Sequence, residues 1–368
     1  MKRLFYSISV LLVLTPALLL LGSIGTAYVS PAKINVLAFA GFGFTLLWLL
    51  NLVLALWLLI RRSFWIIIPL LALAASWSHW NNTFQISSRS TNHPEELGQT
   101  LKVMSYNTRM FDYYGHSGLE GTPQRTYDDI LRQGADLLCF QEYYTNLNKK
   151  DFTPTAIAAK FRGYPHKHIH YATTHQQNTG YGLAIFSKYP LVDQGVVRFE
   201  HSRNMAIYAD VKVGETTIRV FSVHLESIGF QDNDLNVLDS LDFRMTESQK
   251  QGLVNISRKL TRAFKMRSSQ AETLARHIKN APYPVIVCGD FNDTPVSYVY
   301  RTMRGKLKDA FVESGSGFGA TYNGRLPSLR IDYIFHDPAF KSWNFETLPL
   351  PYSDHHPIMT TLDLKPQS

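Results

Sequence analysis

The 368-residue sequence predicts a layered α/β domain that follows an apolar N-terminal segment. The first 80 residues are dense in Leu, Ile, Trp and Phe and almost free of acidic side chains. From about residue 85 the composition becomes that of an ordinary globular protein, and short β-rich runs alternate with helical patterns. Such alternation is typical of strands packed centrally between helices.

Three apolar runs occupy the N-terminal segment. They are Leu4–Tyr28, Ile34–Ile60 and Ser63–Trp80. The first two exceed the roughly 20 residues that a helix needs to cross a bilayer, and the third is close to the minimum. A cleaved signal peptide is the alternative for the first run, but this run is long for a signal peptide and contains Pro16. We expect a membrane anchor over residues 1–80, with transmembrane helices at 4–28, 34–60 and 63–80, and a polar linker over residues 81–98.

The basic residues that flank these runs predict an orientation. Lys2 and Arg3 precede the first run and Arg61–Arg62 separate the second from the third, whereas Lys33 alone marks the opposite side. The positive-inside rule then places the N-terminus in the cytoplasm. Three spans would put residues 99–368 on the extracytoplasmic, periplasmic side of a bacterial inner membrane. If the third run is only a buried hairpin, this domain would be cytoplasmic.

The charge gives little support for a dedicated nucleic-acid protein. The formal net charge is +8, and half of it comes from residues 1–98. The remaining chain is close to balanced, whereas a dedicated nucleic-acid binder usually shows a stronger basic excess. The high pI therefore reflects in part the flanks of the apolar runs.

Eight β-rich runs follow, several of them continuously apolar, as expected for strands that are buried on both faces. They are Leu101–Asn107, Asp136–Glu142, Gly182–Ser187, Ala206–Val213, Thr217–Leu225, Pro284–Asp290, Ile331–Phe335 and Pro357–Leu364. Helical patterns lie around Tyr127–Gln133 and Leu253–Lys279.

Polar side chains recur at the ends of these strands or next to them. They are Asn107, Glu142, His224, Asp290 with Asn292, Asp332, and Asp354 with His355. One such residue would most simply belong to a surface turn, but a set of six strand ends that all carry Asp, Glu, Asn or His predicts a shared site. Carboxylate and amide oxygens suit Mg²⁺ or Mn²⁺, and imidazoles beside carboxylates suit proton transfer. The sequence has no cysteine cluster and no His-Glu-x-x-His motif, so a zinc site is disfavoured.

These residues, in this order, resemble the endonuclease/exonuclease/phosphatase superfamily, which has the deoxyribonuclease-I-like fold. The resemblance covers about Leu101–Leu364 and rests on six motifs. They are the Asn107 strand, Gln141-Glu142, Ser222-Val-His224-Leu-Glu226, Gly289-Asp290-Phe-Asn292, Arg330-Ile-Asp332-Tyr-Ile and Ser353-Asp354-His355-His-Pro357. The resemblance implies an α/β four-layer sandwich, in which two packed mixed β-sheets are flanked by helices and the site lies at one rim.

The resemblance also implies a role for each matching residue. Glu142 looks like the principal metal ligand, with Asn107 beside it, and Asp354 looks like a further ligand or a partner of His224. Asp290 looks like the group that orients or deprotonates the attacking water, and Asn292 like a ligand to the scissile phosphate. His355, paired with Asp332, looks like the imidazole that contacts phosphate, and His224 like a second catalytic imidazole. Arg109 and Arg330 lie near the motif strands and either meet substrate oxygens or hold acidic neighbours.

The implied activity is Mg²⁺- or Mn²⁺-dependent hydrolysis of a phosphoester, by attack of water on phosphorus. The substrate remains open between nucleic acid and a phospholipid or sphingomyelin-type head group. A phosphomonoesterase of the inositol-phosphate type and a non-catalytic, membrane-tethered binding module are the alternatives. The expected partners are the substrate and the lipid bilayer, with no obligate protein partner.

Two further segments of the sequence each allow two interpretations. Leu253, Ile256, Leu260 and Phe264 recur at helical spacing, and Arg258, Arg262 and Lys265 would share a neighbouring face. That face is either a solvated helix surface or a basic ledge for an anionic polymer or lipid head group. The alternating histidines from His166 to His175 are more consistent with a polar loop or an edge strand than with a metal tract.

Overall fold

The computed structural model describes residues 2–86, 98–175, 178–240, 245–325 and 327–365, and these residues form two compact units. The first unit comprises Met1–Phe84, Ile228–Ser269 and Asp293–Thr302. The second comprises Gln85–Ser227, Gln270–Asn292 and Met303–Ser368. The expected domain limits stay a prediction, and the structure adds that two internal segments of the chain group with the N-terminal helices.

The first unit is helical. Its helices are α1 (Lys2–Gly25), α2 (Val36–Phe42), α3 (Phe44–Ile60), α4 (Ile67–Ala75), α5 (Trp77–Thr83), α8 (Asp232–Asp239), α9 (Glu247–Lys279, in this unit as far as Ser269) and α10 (Tyr298–Arg304, as far as Thr302). Buried Asn51 donates hydrogen bonds to the carbonyls of Pro16 (3.0 Å) and Leu47 (2.8 Å) and so ties α3 to α1. The rings of Trp48 and Trp80 stack at 3.7 Å between centroids.

Two of the three predicted spans are interrupted. The second bends by 63° between α2 and α3 at Gly43. The third divides into a 3₁₀ turn, α4 and α5, with a break at Ser76, whose hydroxyl bonds back to the Ala72 carbonyl at 2.8 Å. Within the described residues no single helix has both the length and the apolar character to cross a bilayer, whereas α2 and α3 taken together do. Of the predicted linker, residues 81–83 belong to α5, and residues 87–97 lie outside the described part.

The second unit holds the strands. They are β1 (Thr100–Asn107), β2 (Leu137–Asn146), β3 (His166–His175), β4 (Thr179–Ser187), β5 (Leu191–Arg198), β6 (Met205–Val213), β7 (Thr216–His224), β8 (Val285–Asp290), β9 (Lys308–Asp309), β10 (Asp332–His336), β11 (Lys341–Thr347) and β12 (Ile358–Asp363). Its helices include α6 (Thr122–Arg132), α7 (Pro154–Lys160) and α11 (Ala310–Ser314), and short 3₁₀ turns cover Arg109–Asp112 and Lys150–Phe152.

These strands form two mixed sheets of six strands each, as the resemblance implied. The first has the order β11-β12-β1-β2-β4-β3, and the second has the order β5-β6-β7-β8-β10-β9. The pairs β1–β2 and β7–β8 are parallel, and the other pairs are antiparallel. All eight predicted strands are present. The histidine-rich segment is the edge strand β3, which was one of the two preferred alternatives, whereas β5, β9 and β11 were not predicted.

The two-residue period of the strands separates two cores. Val103 and Cys139 join an apolar cluster with residues of the second sheet such as Val220 and Cys288. Their chain neighbours face the other way: Met104 and Phe140 join the residues of α6 and α7. Because successive side chains in a strand point to opposite faces, β1 and β2 contribute apolar side chains to both cores and are largely buried on both faces.

Candidate active site

The registers of both sheets bring the predicted strand-end residues to one rim of the second unit. Parallel pairing sets Asn107 of β1 beside Gln141 of β2 and His224 of β7 beside Asp290 of β8. Antiparallel pairing then sets Asp290 opposite Asp332 of β10. Polar groups that are far apart in the sequence therefore meet because parallel strands end at the same edge of a sheet.

Asn107 joins the two sheets at this rim. Its amide Nδ2 lies 3.0 Å from Asp290 Oδ2 and 3.4 Å from Glu142 Oε1, so it donates to both carboxylates. Its Oδ1 accepts from the backbone N–H of Arg109 at 3.1 Å. Because the oxygen is held in this way, Asn107 positions the two carboxylates here, and ligation of a metal through Oδ1 would require the amide to rotate.

Glu142 reaches the rim through a local irregularity of β2. The register with β4 shifts between Phe140 and Tyr143, and Glu142 adopts a φ of +52° at this bulge. Such a conformation is costly for a residue with a Cβ and is found mainly where function requires it. Although 22% of the side chain meets solvent, burial in the cleft, with the charge of Asp354, raises the pKa of Glu142 to about 7.

Asp290 is the central carboxylate. It is 1% exposed and receives hydrogen bonds from the backbone N–H of Asn292 (2.8 Å) and from Asn292 Nδ2 (3.1 Å). Asn292 adopts a φ of +53° and also donates to the Leu225 carbonyl at 3.1 Å, which fixes the turn after β8. Burial raises the pKa of Asp290, and the charge of Asp332 adds to this, while His355 opposes it.

His355 and Asp332 form a buried ion pair. His355 Nδ1 lies 2.9 Å from Asp332 Oδ2, and Nε2 lies 3.7 Å from Asp290 Oδ2. Burial acts to lower the pKa of His355, but the charges of Asp332 and Asp290 and the bond to Asp332 raise it to about 10. The imidazole is therefore cationic at neutral pH, with one edge held by Asp332 and the other directed to Asp290.

His224 has the opposite character. Its Nε2 lies 3.9 Å from Glu142 Oε1 and 3.7 Å from Asp290 Oδ2. This buried nitrogen has no hydrogen-bond partner among the described residues. Burial lowers the pKa of His224, so the site holds one neutral and one cationic imidazole. Such a pair of different protonation states suits acid–base chemistry.

Arg109 and Asp354 complete the rim. Arg109 begins a turn in which four consecutive residues, up to Asp112, have positive φ values from 45° to 58°. This turn brings Arg109 Nε to 3.6 Å from Asp354 Oδ1, with both side chains partly exposed. The arrangement leaves the guanidinium accessible to an anionic ligand.

The structure corrects the expectation that Arg330 contacts substrate. Its side chain is 2% exposed, its Nη2 donates to Asp309 Oδ2 at 2.9 Å, and its guanidinium lies between the rings of Phe311 and Tyr333. Of the two open alternatives, holding an acidic neighbour is the correct one. The sequence could not separate them, because both depend on the direction of one side chain.

Tyr181 on β4 is a site residue that the sequence did not reveal. It pairs with Tyr144, two residues beyond Glu142, and it remains partly exposed. Burial raises the pKa of Tyr181, and the charges of Glu142 and Asp290 add to this, so its phenol shares the electrostatic environment of both carboxylates. The signal in the sequence is the Gly180-Tyr181-Gly182 segment, where glycines flank a single large side chain.

The donor set fits a hard divalent cation. Glu142 and Asp290 are carboxylates with raised pKa values, and a cation between them would favour their ionised forms. Asp290, Asp332 and His355 also form a buried group whose potential ligand atoms lie within 4.8 Å of one another. This group differs from the metal ligands that the resemblance implies, which are Asn107, Glu142 and Asp354. Its member Asp290 is also one of the two carboxylates with a raised pKa. Because His355 Nδ1 already pairs with Asp332, this pair suits proton handling, and Glu142 and Asp290 are the carboxylates that could hold a cation.

Comparisons with known families cover nearly the whole chain. The model of the Endonuclease/Exonuclease/phosphatase family matches residues 104–355. A model of a domain of unknown function matches residues 2–83. No curated protein matches the chain.

Solved structures share the fold at low sequence identity. An endonuclease/exonuclease/phosphatase from Bacteroides vulgatus has 18% identity and a TM-score of 0.51, covering 73% of this chain and 100% of that one. A family protein from Bacteroides thetaiotaomicron has 17% identity and a TM-score of 0.51, with coverages of 72% and 97%. A third, from Beutenbergia cavernae DSM 12333, has 19% identity and a TM-score of 0.50, with coverages of 73% and 72%.

Proposed function

This chain belongs to the endonuclease/exonuclease/phosphatase family, and from that membership we propose that it hydrolyses phosphodiester bonds with the help of Mg²⁺ or Mn²⁺. The observation that carries the proposal is the meeting of two carboxylates and two imidazoles at one rim. His224 Nε2 lies 3.9 Å from Glu142 Oε1 and 3.7 Å from Asp290 Oδ2, and His355 Nε2 lies 3.7 Å from Asp290 Oδ2. Each of these groups can take a role in the attack of water on phosphorus.

Asp290 is the residue that orients the attacking water. Its Oδ1 is held by the Asn292 N–H and its Oδ2 faces Asn107 and both imidazoles, so the carboxylate has one fixed direction. Cationic His355 stabilises the charge that grows on the phosphoryl oxygens, and Asp332 keeps it protonated. Neutral His224 accepts or passes a proton on the Glu142 side, and Arg109 contacts a substrate oxygen.

Glu142 and Asp290 would hold the cation, with Asp354 as a third oxygen donor. When bound, it supplies charge stabilisation and lowers the pKa of a coordinated water. Asn107 keeps the two carboxylates at a fixed separation, because its Nδ2 donates to both. Within this reaction class, nucleic acids and phospholipid head groups are both candidate substrates.

A panel assay tests the proposed function. The purified full chain is offered plasmid DNA, RNA, sphingomyelin, phosphoinositides and a phosphomonoester, with Mg²⁺ and with EDTA. We expect a phosphodiester to be cleaved only with the cation, and Asp290→Ala to be inactive, while the exposed control Asp128→Asn keeps full activity. Activity that survives EDTA or Asp290→Ala would refute the mechanism. Cleavage of the monoester alone would favour a phosphomonoesterase, and inactivity on the whole panel a binding module.

We further propose that the first unit attaches the protein to a bacterial inner membrane, with the catalytic unit on the periplasmic side. Several large apolar side chains in the described part of α1 to α4, including the 3₁₀ turn before α4, are more than half exposed, an arrangement that water does not favour. They include Leu12, Leu18, Val53, Leu56, Ile60, Phe64, Ile67 and Leu71. The basic pairs at residues 2–3 and 61–62 support a cytoplasmic N-terminus.

Fractionation tests attachment and sidedness separately. The full chain should stay in the membrane after a carbonate wash, and protease added to intact spheroplasts should digest the catalytic unit. Release by carbonate would overturn the attachment. Protection from protease in intact spheroplasts, with digestion after lysis, would place the catalytic unit inside and indicate an even number of crossings.

A further inference from the structure

Helix α9 carries a groove that is lined by three cations. The groove has a volume of about 400 Å³ and lies in the first unit. Its lining residues are Ser257, Arg258, Thr261, Arg262, Lys265 and Met266. Positions three and four apart lie next to each other on a helix, so these residues form one continuous face, called here the basic groove.

The cations of the basic groove differ from two other basic residues of α9, Lys259 and Arg267. Lys259 pairs with Asp234 at 2.5 Å, and buried Arg267 pairs with Asp293 at 3.2 Å. In contrast, Arg258, Arg262 and Lys265 are exposed and lie within 4.0 Å of no carboxylate in the described ranges. The sequence holds no acidic residue from position 248 to 271. The positive charge of the groove is therefore available to an external anion.

The helix turn that carries the groove also contacts the apolar helices. Phe264, which precedes Lys265, meets the rings of Phe39 and Phe42 of α2 at 5.3 and 5.6 Å between centroids. Helices α2 and α3 form the bent pair that has the length and the apolar character of a membrane segment. A cationic face beside the start of such a segment lies where lipid head groups are expected.

We propose that the basic groove binds the phosphate head groups of anionic phospholipids in the bilayer that holds the first unit; this inference rests on the proposed membrane attachment. Two guanidinium groups and one ammonium group match several phosphate oxygens at once. The neighbouring apolar helices favour a lipid over a nucleic acid, since a polynucleotide offers nothing to cover exposed leucines. Head-group binding would hold α9 against the membrane surface.

A fluorescence titration of the full chain tests the proposal. An environment-sensitive dye on Ser257→Cys reports on the groove, since Cys139 and Cys288 are fully buried. Phosphatidylglycerol or phosphatidylcholine is added in neutral detergent micelles, at low and at high salt. We expect a saturable response to phosphatidylglycerol alone, weakened by salt. Replacing Arg258, Arg262 and Lys265 together by Gln should raise the half-saturating concentration on the order of 100-fold.

A matched variant controls for net charge. Lys250, Arg276 and Lys279 are exposed on the same helix outside the groove, and their replacement by Gln removes the same charge. This variant should titrate like the parent protein, and circular dichroism and Tm establish that both variants are folded. An equal weakening of both variants would overturn the proposal, because net charge alone would explain it.

Two further results separate the possible failures. A short DNA duplex that elicits the response where phosphatidylglycerol does not would overturn the lipid proposal and make the groove a nucleic-acid surface. Assembly into phosphatidylcholine nanodiscs tests the anchor itself. If the chain assembles into nanodiscs but shows no response to phosphatidylglycerol, the proposed membrane attachment stands and the proposed head-group binding by the basic groove is refuted. A chain that does not assemble refutes the attachment on which the inference rests.

Discussion

The side chain of His355 is held between two carboxylates of different function: Nδ1 lies 2.9 Å from Asp332 Oδ2, and Nε2 lies 3.7 Å from Asp290 Oδ2. Asp332 itself is fixed by its backbone N–H, which donates to Thr321 Oγ1 at 3.1 Å. The ring therefore has one orientation and one protonation state, and it presents a positive edge to the residue proposed to orient water.

Replacing Asp332 by Asn should lower kcat by about 10²–10⁴-fold with little change in KM, because His355 loses the partner that keeps it charged. The pKa of His355, raised to about 10 mainly by the charges of Asp332 and Asp290 against the effect of burial, would fall. Since the cationic form is lost as pH rises through the pKa, the alkaline limb of the kcat profile should move to lower pH. A pH–rate profile measures this, with Asp128→Asn as the control. An alkaline limb that stays in place would contradict the role of Asp332.

Replacing His224 by Gln should lower kcat by about 10²-fold, since it removes a base that burial keeps neutral. Gln has a similar volume and can still donate toward Glu142 and Asp290, so the fold should persist, as unchanged Tm would verify. Steady-state kinetics on the best substrate of the panel gives the measurement. Full activity in this variant would show that His224 has no catalytic role.

Replacing Glu142 by Gln should raise the Mg²⁺ concentration for half-maximal activity at least about tenfold, because a negatively charged oxygen donor is lost. Calorimetric titration with Mg²⁺ should show the same shift in the absence of substrate. Glu215→Gln is the matched control, since Glu215 is exposed in the turn before β7, at the end opposite His224. Unaltered Mg²⁺ affinity in Glu142→Gln would exclude Glu142 as the principal ligand.

The strand-end residues could be predicted because each follows or ends an apolar strand, and parallel pairing brings strand ends to one edge within each sheet, as it does for His224 and Asp290. The remaining features depend on single side chains or local backbone shifts. The bulge at Glu142 and the burial of Arg330 against Asp309 leave no pattern in the sequence.

The N-terminal helices also show a limit of prediction from sequence. Hydrophobicity measures the apolar length of a segment and does not register where a helix bends. Gly43 and Ser76 each end a helix within a run that composition alone treats as continuous. Their effect depends on backbone geometry, so apolar length alone predicts one continuous helix at 34–60 and another at 63–80.

Glu313 should contribute stability that disappears in acid. Burial opposes ionisation, but the His336 imidazole, with Nε2 3.2 Å from Oε2, the hydrogen bond from the Ser342 N–H and the charge of Lys308 lower the pKa of Glu313 below its usual 4.5. A lowered pKa stabilises the fold above the unfolded pKa, and this stability is lost as pH falls through the folded pKa. Glu313→Gln should therefore cost about 1–2 kcal/mol at neutral pH and progressively less below about pH 4.5. Urea unfolding at several pH values measures the difference. A deficit that does not depend on pH would show that packing, not charge, is responsible.

Gly289, which precedes Asp290, should tolerate no side chain. Its φ is +150°, and a Cβ at this position would lie 2.0 Å from the Val223 carbonyl oxygen, inside the parallel pair β7–β8. Because the clash is with backbone, relief requires the two strands to separate, and Gly289→Ala should cost about 2–5 kcal/mol by urea unfolding. Gly163→Ala is the control, since a Cβ there meets nothing within 4 Å. Separated strands would also displace His224 from Asp290, so activity should fall together with stability. A stable but inactive Gly289→Ala would mean that β7 and β8 adapt, and that the glycine serves the geometry of the site alone.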